Sequence, residues 1–149
     1  MSLEFFSPSE SPSIAQRWSR AFAGEAEQAS AVRRFVSVLI GDCPVLDDVL
    51  LSVDELVVNA LRHTKSGGPG GAFTVEIRRD GGTVAVAVRD QGGPTEPAVP
   101  ASDDLAESGC GLRMVSALAA GWGWFGSERS RTVTAMFSDS VSVTWNEAA

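Results

Sequence analysis

Three short constellations in this chain carry residue types that do chemistry, and they stand well apart. The first is Asp54-Glu55-Leu56-Val57-Val58-Asn59, in which Glu55 and Asn59 are four positions apart and so neighbours on one face of a helix. Asn59 offers an amide oxygen, a hard donor of the kind Mg2+ accepts. Glu55 offers a carboxylate able to orient or deprotonate an attacking hydroxyl. Taken alone, the pair also reads as a solvated helix face carrying an incidental Asn. The second constellation is Asp90 followed by Gly92 and Gly93, where glycine lets a ligand approach the backbone closely. A carboxylate at a strand's end can accept a hydrogen bond from an exocyclic amine. Adenine has that amine, whereas guanine presents a carbonyl at the equivalent place and leaves the acceptor unpaired. The alternative is an ordinary Asp-x-Gly turn. The third is Gly109-Cys110-Gly111, opening a helical stretch. Free backbone N–H groups and the positive end of the helix dipole make such a place a seat for phosphate. Cys110 there reads as an inert small residue or as a thiol activated by the helix terminus. The rival phosphate motif, G-x-x-x-x-G-K-[ST], is absent, and no G-x-G-x-x-G follows a strand. His63 is the only histidine, so a zinc motif needing two is excluded.

The elements that must position these residues are legible from periodicity. Residues 1–17 form a Ser- and Pro-rich lead-in, with an edge strand from Trp18 to Phe22 closing it. Apolar positions from Glu25 to Ile40 recur at helical spacing, and Gly41 with Pro44 behind it marks the stop. On the next helix Leu46, Val49, Leu50, Val53, Leu56, Val57, Ala60 and Leu61 share one arc. Glu55, Asn59, Arg62 and His63 share the opposite one, and Asp47 and Asp48 sit near the start, where the dipole favours anions. After the break at 66–71 the period becomes two. Phe73, Val75 and Ile77, then Val84, Val86 and Val88, make a hairpin across Asp80-Gly81-Gly82. Its second strand delivers the chain to Asp90. Residues 93–108 read as a long loop, with three prolines, four acidic residues and no Lys or Arg, the length at which a loop is usually functional or mobile. A helix through Leu112, Val115, Leu118 and Ala119 follows, ended by Gly121. Strands are expected at Trp122–Phe125, Thr132–Phe137 and Val141–Trp145. The order predicts one α+β domain over 18–149: a two-layer sandwich with helices on one face of a largely antiparallel sheet.

At 149 residues, with 44% apolar and 21% charged side chains, the chain suits one domain with a proper core. Its net charge of −7, from 12 basic and 19 acidic residues, disfavours sequence-independent nucleic-acid binding. No apolar run is long enough for a membrane span and no leader is visible, so the cytoplasm is the expected address. Cys43 and Cys110 lie far apart without a C-x-x-C, which suggests neither zinc nor a disulfide framework.

Glu55-x-x-x-Asn59, Asp90-x-Gly92 and Gly109-x-Gly111-Leu112, in this order, resemble the N, G1 and G2 boxes of the GHKL ATPase superfamily, whose members share the Bergerat ATP-binding fold. Asp54 to Thr64 and Trp122-Gly123-Trp124 are similar to the stand-alone anti-sigma-factor serine/threonine kinases of actinobacteria. The resemblance covers about residues 18–138. It implies Mg2+ on Asn59, Glu55 as catalytic base, and Asp90 with Gly92 at the adenine amine. It also implies Gly109 and Gly111 along the phosphates with Leu112 completing that box, and residues 93–108 as the ATP lid. Thr132 is implied to contact adenine through water. The implied partners are a sigma factor, which the protein silences, and a STAS-domain anti-anti-sigma protein, which it phosphorylates on Ser or Thr. Many members also form homodimers. A module that holds ATP and these partners without transferring phosphate is the alternative. Pro94 and Cys110 depart from the family pattern, and Arg113 is the nearby cation able to compensate.

Overall fold

A computed structural model describes residues 15–94, 96–98 and 107–138. The order of elements is β1 (Gln16–Ala23), α1 (Ala29–Ile40), α2 (Leu46–His63), β2 (Ala72–Asp80), β3 (Thr83–Asp90), α3 (Glu107–Leu118), β4 (Gly121–Gly126) and β5 (Arg131–Ser138). Short 3-10 turns occupy Ala26–Gln28 and Lys65–Gly67. The expected helix from Glu25 therefore begins as a 3-10 turn and becomes α-helical at Ala29. The expected strand at 141–145 and most of the 93–108 loop lie outside the described residues.

The five strands form one sheet in the order β1-β2-β3-β5-β4, and every adjacent pair is antiparallel. The two-residue link Gly81-Gly82 closes the β2–β3 hairpin, and Gly81 takes φ +61° there, a conformation glycine adopts without steric cost. The β3-to-β5 neighbourhood is not sequential. The chain leaves β3, runs through α3, lays down β4 at the sheet's edge and returns as β5 between them.

Alternation decides the two faces of the sheet. Phe73, Val75 and Ile77 on β2, Val84, Val86 and Val88 on β3, and Val133, Ala135 and Phe137 on β5 are buried on one side. Val32, Val36 and Ile40 of α1, Val49, Val53, Leu56, Val57 and Ala60 of α2, and Leu112 and Val115 of α3 meet them there. Phe22 of β1 stacks on Phe73 at 5.5 Å between centroids and meets Phe35 of α1 edge-on at 6.0 Å, joining both layers at the sheet's outer edge. The result is two layers, with helices on one face and a fully antiparallel sheet among the described strands. Off the helix side lie Ala85, Ala87, Thr132, Thr134 and the exposed Phe125 and Met136, around an open concavity of about 450 Å³.

Candidate functional site

The polar stretch singled out on α2 sits on the second half of the helix, whose C-terminal end is tied to the turn after β3. Glu55 and Asn59 are both half-buried, whereas Leu56, Val57 and Ala60 beside them are in the core. One stripe of α2 thus fixes the helix to the sheet and leaves the other partly open, and α3 also packs on α2.

The end of α2 is tied to that turn by backbone and hydroxyl groups. Thr64 leaves the helix in an extended conformation; its Oγ1 donates to the Ala60 carbonyl at 2.6 Å and accepts from Ser66 N at 3.1 Å. Ser66 is fully buried, and its Oγ accepts from Gln91 N at 2.9 Å. Lys65 N donates to the Gly92 carbonyl at 2.8 Å. Gln91 Oε1 in turn accepts from Ala72 N at 3.0 Å, linking the turn to the start of β2. Helix end, β2 and turn are therefore one hydrogen-bonded bracket. Ser66 carried no signal in the sequence, because a serine in a Gly-rich break reads as loop filler.

Within the bracket, Asp90 is the last residue of β3 and only 4% exposed. Its Oδ1 accepts from Gly92 N at 2.7 Å, the Asx-type contact that an Asp-x-Gly turn makes. Burial pushes the Asp90 carboxyl above the usual aspartate value, and the Gly92 N–H and the positive charge of Arg131 pull against that shift. Gly92 is buried with φ +77°, and a Cβ there would lie 2.1 Å from the Glu128 carbonyl oxygen. A Cβ on Gly93 would lie 2.6 Å from the His63 carbonyl oxygen. The turn is wedged between the end of α2 and the β4–β5 connection, and only glycine fits at either position.

Gly109 and Cys110 close the first turn of α3, which begins at Glu107, and Gly111 opens the second, so the helix starts two residues before the pair of glycines. Leu112 is buried in the core; it seats α3 on the sheet rather than lining an open wall. Ser116 and Trp122 fasten α3 to β4, Trp122 Nε1 donating to Ser116 Oγ at 2.6 Å.

Thr132 falls elsewhere. It borders the outer concavity with Ala87, Thr134 and Phe125, on the sheet face opposite Asp90. The residue beside Asp90 on β5 is Arg131, paired with it in register and 3% exposed. Its Nη2 donates to the Gly93 carbonyl at 2.6 Å, and its guanidinium carbon stands 5.4 Å from the centre of the Trp124 ring. Sequence reasoning passed over Arg131, although the period-two pattern contained it: if Val133, Ala135 and Phe137 face the helices, so does Arg131.

No group of three or more His, Cys, Asp or Glu side chains forms a metal cage among the described residues. An ion at Asn59 would therefore draw one amide oxygen from this stretch and its other ligands from water and a bound ligand, which is the habit of Mg2+. No described helix is long and apolar enough to cross a membrane.

Comparison with known proteins places this geometry in context. A sequence model described as "Histidine kinase-like ATPase domain" matches residues 22–143. The crystal structure of the RsbU and RsbW domains of Rv1364c from Mycobacterium tuberculosis superimposes with a TM-score of 0.63 at 18% identity, over 83% of this chain and 32% of that one. The likeness is one of fold, and the chain spans about a third of that protein's length. No curated protein matches the sequence.

Proposed function

The chain belongs to the histidine kinase-like ATPase domain family, and on that premise we propose that it is an ATP-dependent anti-sigma-factor-type serine/threonine kinase. Its substrate is a STAS-type anti-anti-sigma protein, and its second partner is a sigma factor. One observation carries the reading. Buried Asp90, at a strand end, is fastened through Gln91, Gly92, Lys65 and Ser66 to the helix that bears Glu55 and Asn59. A base-recognising acid and a pair suited to phosphate chemistry are thereby held on one rigid unit.

In this reading the acceptor capacity of Asp90 takes the adenine amine, and Gly92 and Gly93 let the turn that carries it pack against the end of α2 and the β4–β5 connection. Gly109 and Gly111 keep two side chains away from the N-terminal end of α3, where the free backbone N–H groups of the first turn meet the phosphates. Asn59 is the protein ligand for Mg2+, which neutralises phosphate charge when bound. Glu55 takes the proton from the attacking Ser or Thr hydroxyl. That oxygen bonds to the γ-phosphorus as the β–γ bridging bond breaks, and ADP leaves with the bridging oxygen.

Incubation with Mg-ATP and a panel of STAS proteins, followed by detection of phosphoserine or phosphothreonine, tests the proposal. Transfer that disappears in Glu55→Ala supports it. Tight Mg-ATP-dependent partner binding with no transfer to any cognate protein would assign the chain to the non-catalytic alternative.

A further inference from the structure

A buried arginine stands at the junction of three strands. Arg131 opens β5 directly across from Asp90, the last residue of β3, and both are almost fully buried. Its Nη2 holds the carbonyl of Gly93 at 2.6 Å, and its guanidinium lies over Trp124 of β4. Arginine is almost never buried without a countercharge, and the acid facing it is Asp90, whose acidity that charge strengthens. A planar fork suits the place: it donates within its plane while stacking on an indole, which an ammonium cannot do. Elements packed round the turn carry other charges. These are His63 and Lys65 at the end of α2, Glu128 and Arg129 in the β4–β5 connection, and Arg113 on α3. Arg89 precedes Asp90 but is exposed on the other face of the sheet.

We propose that Arg131 is the positioning residue of the nucleotide-base acid: by gripping Gly93 it fixes the turn that presents Asp90 to the base amine, and its buried charge, set across from Asp90, favours the carboxylate that accepts from that amine. This rests on the reading of Asp90 as base receptor. An ionised carboxylate only accepts hydrogen bonds, whereas a protonated one carries a donor that opposes the amine. In this chain the pH range of ATP binding is therefore set by Arg131 as well as by Asp90.

The test is calorimetry of Mg-ATP from pH 5 to 8 on the full chain, with thermal melts as controls. Carbon-13 titration of the Asp90 carboxyl is followed in parallel without ligand. Wild-type affinity falls as pH drops through the Asp90 pKa. Arg131→Met moves that midpoint and the carboxyl titration upward, and its loss of affinity is largest at pH values between the wild-type and variant midpoints, where only the wild-type carboxyl is ionised. In an Asp90→Asn background the same substitution adds no loss through the charge, the coupling signature of a double-mutant cycle. Arg131→Lys keeps the charge and loses the fork, so its midpoint stays near wild type while its affinity falls at every pH; this variant tests the grip on Gly93 if Arg131→Met does not fold. Unchanged midpoints in Arg131→Met, a loss in Arg131→Met that is equal at every pH, or wild-type affinity in Arg131→Lys would overturn the proposal. Failure of wild-type protein to bind ATP at any pH would refute the functional reading instead, and the carboxyl titration would still report whether Arg131 holds Asp90 ionised.

Discussion

At the scale of single residues, the account divides labour between three acids and amides. Asp90→Asn exchanges one acceptor oxygen for a donor and should weaken ATP binding by about 1.5–3 kcal/mol, the range for a hydrogen bond to a charged group. The same residue also marks the pH dependence of stability. Its folded pKa is raised, so its contribution is complete below the unfolded value near 3.9 and is lost as pH rises through the folded value. Asp90→Asn should remove that component, and urea unfolding of both proteins across the acid range will show whether the slopes differ. Glu55 and Asn59 should separate kinetically. Glu55→Ala should spare Mg-ATP binding and slow transfer by roughly 10²–10⁴-fold, as for a lost general base, while Asn59→Ala should weaken binding only where Mg2+ is present. Single-turnover assays beside calorimetry distinguish the two. Glu55 and Asn59, which lie half-buried on α2, and Asp90, buried at the end of β3, were singled out by residue type, spacing and glycine neighbours. Arg131 was not, because a lone arginine heading a strand reads as solvent-facing until the buried face of that strand is counted back to it.

At the scale of elements, the site depends on the bracket between α2 and the turn after β3. Ser66→Ala removes the acceptor for Gln91 N, a part-buried hydrogen bond, a change that costs about 1 kcal/mol. It should also lower ATP affinity without touching the ligand, through a turn no longer held to the helix. Hydrogen exchange at the Gln91 amide should quicken in the variant; an unchanged rate with unchanged affinity would show that the bracket is not needed. Gly92→Ala should be worse for folding, because the new Cβ meets the Glu128 carbonyl and the φ of +77° is strained for alanine. The helices and the β2–β3 hairpin were visible in the sequence, since their signals are local: period 3.6, period two and a Gly-Gly link. The insertion of β5 between β3 and β4 was not. It depends on pairing across α3 and β4, which no local pattern encodes. Thr132, which the resemblance implied at the adenine, lies on the face away from Asp90: period two fixes that faces alternate, and only the packed layers say which face is which.

At the scale of the whole molecule, catalysis by the isolated chain should be slow. Glu96, Asp103, Asp104 and Glu107 put four acidic charges and no basic one in residues 93–108, the segment proposed to cover the phosphates. Phosphoryl transfer relies on positioning and on neutralising the transferring group. Steady-state assays should therefore show little ATP turnover alone and faster turnover with a cognate partner, and Arg113→Ala will report whether α3 supplies the missing cation. Brisk turnover without any partner would contradict this. The layered fold and its single helix-covered face followed from the order of elements, whereas the identities of the partners leave no trace in spacing or burial. The central claim is that this fold presents an adenine-selective nucleotide site built on Asp90. Calorimetric titration of the wild-type protein with ATP and with GTP, both with Mg2+ at neutral pH, tests it most directly. The account predicts saturable ATP binding, with GTP weaker by about 1.5–3 kcal/mol for the lost charged hydrogen bond; equal affinity for the two, or no binding of either, would contradict it.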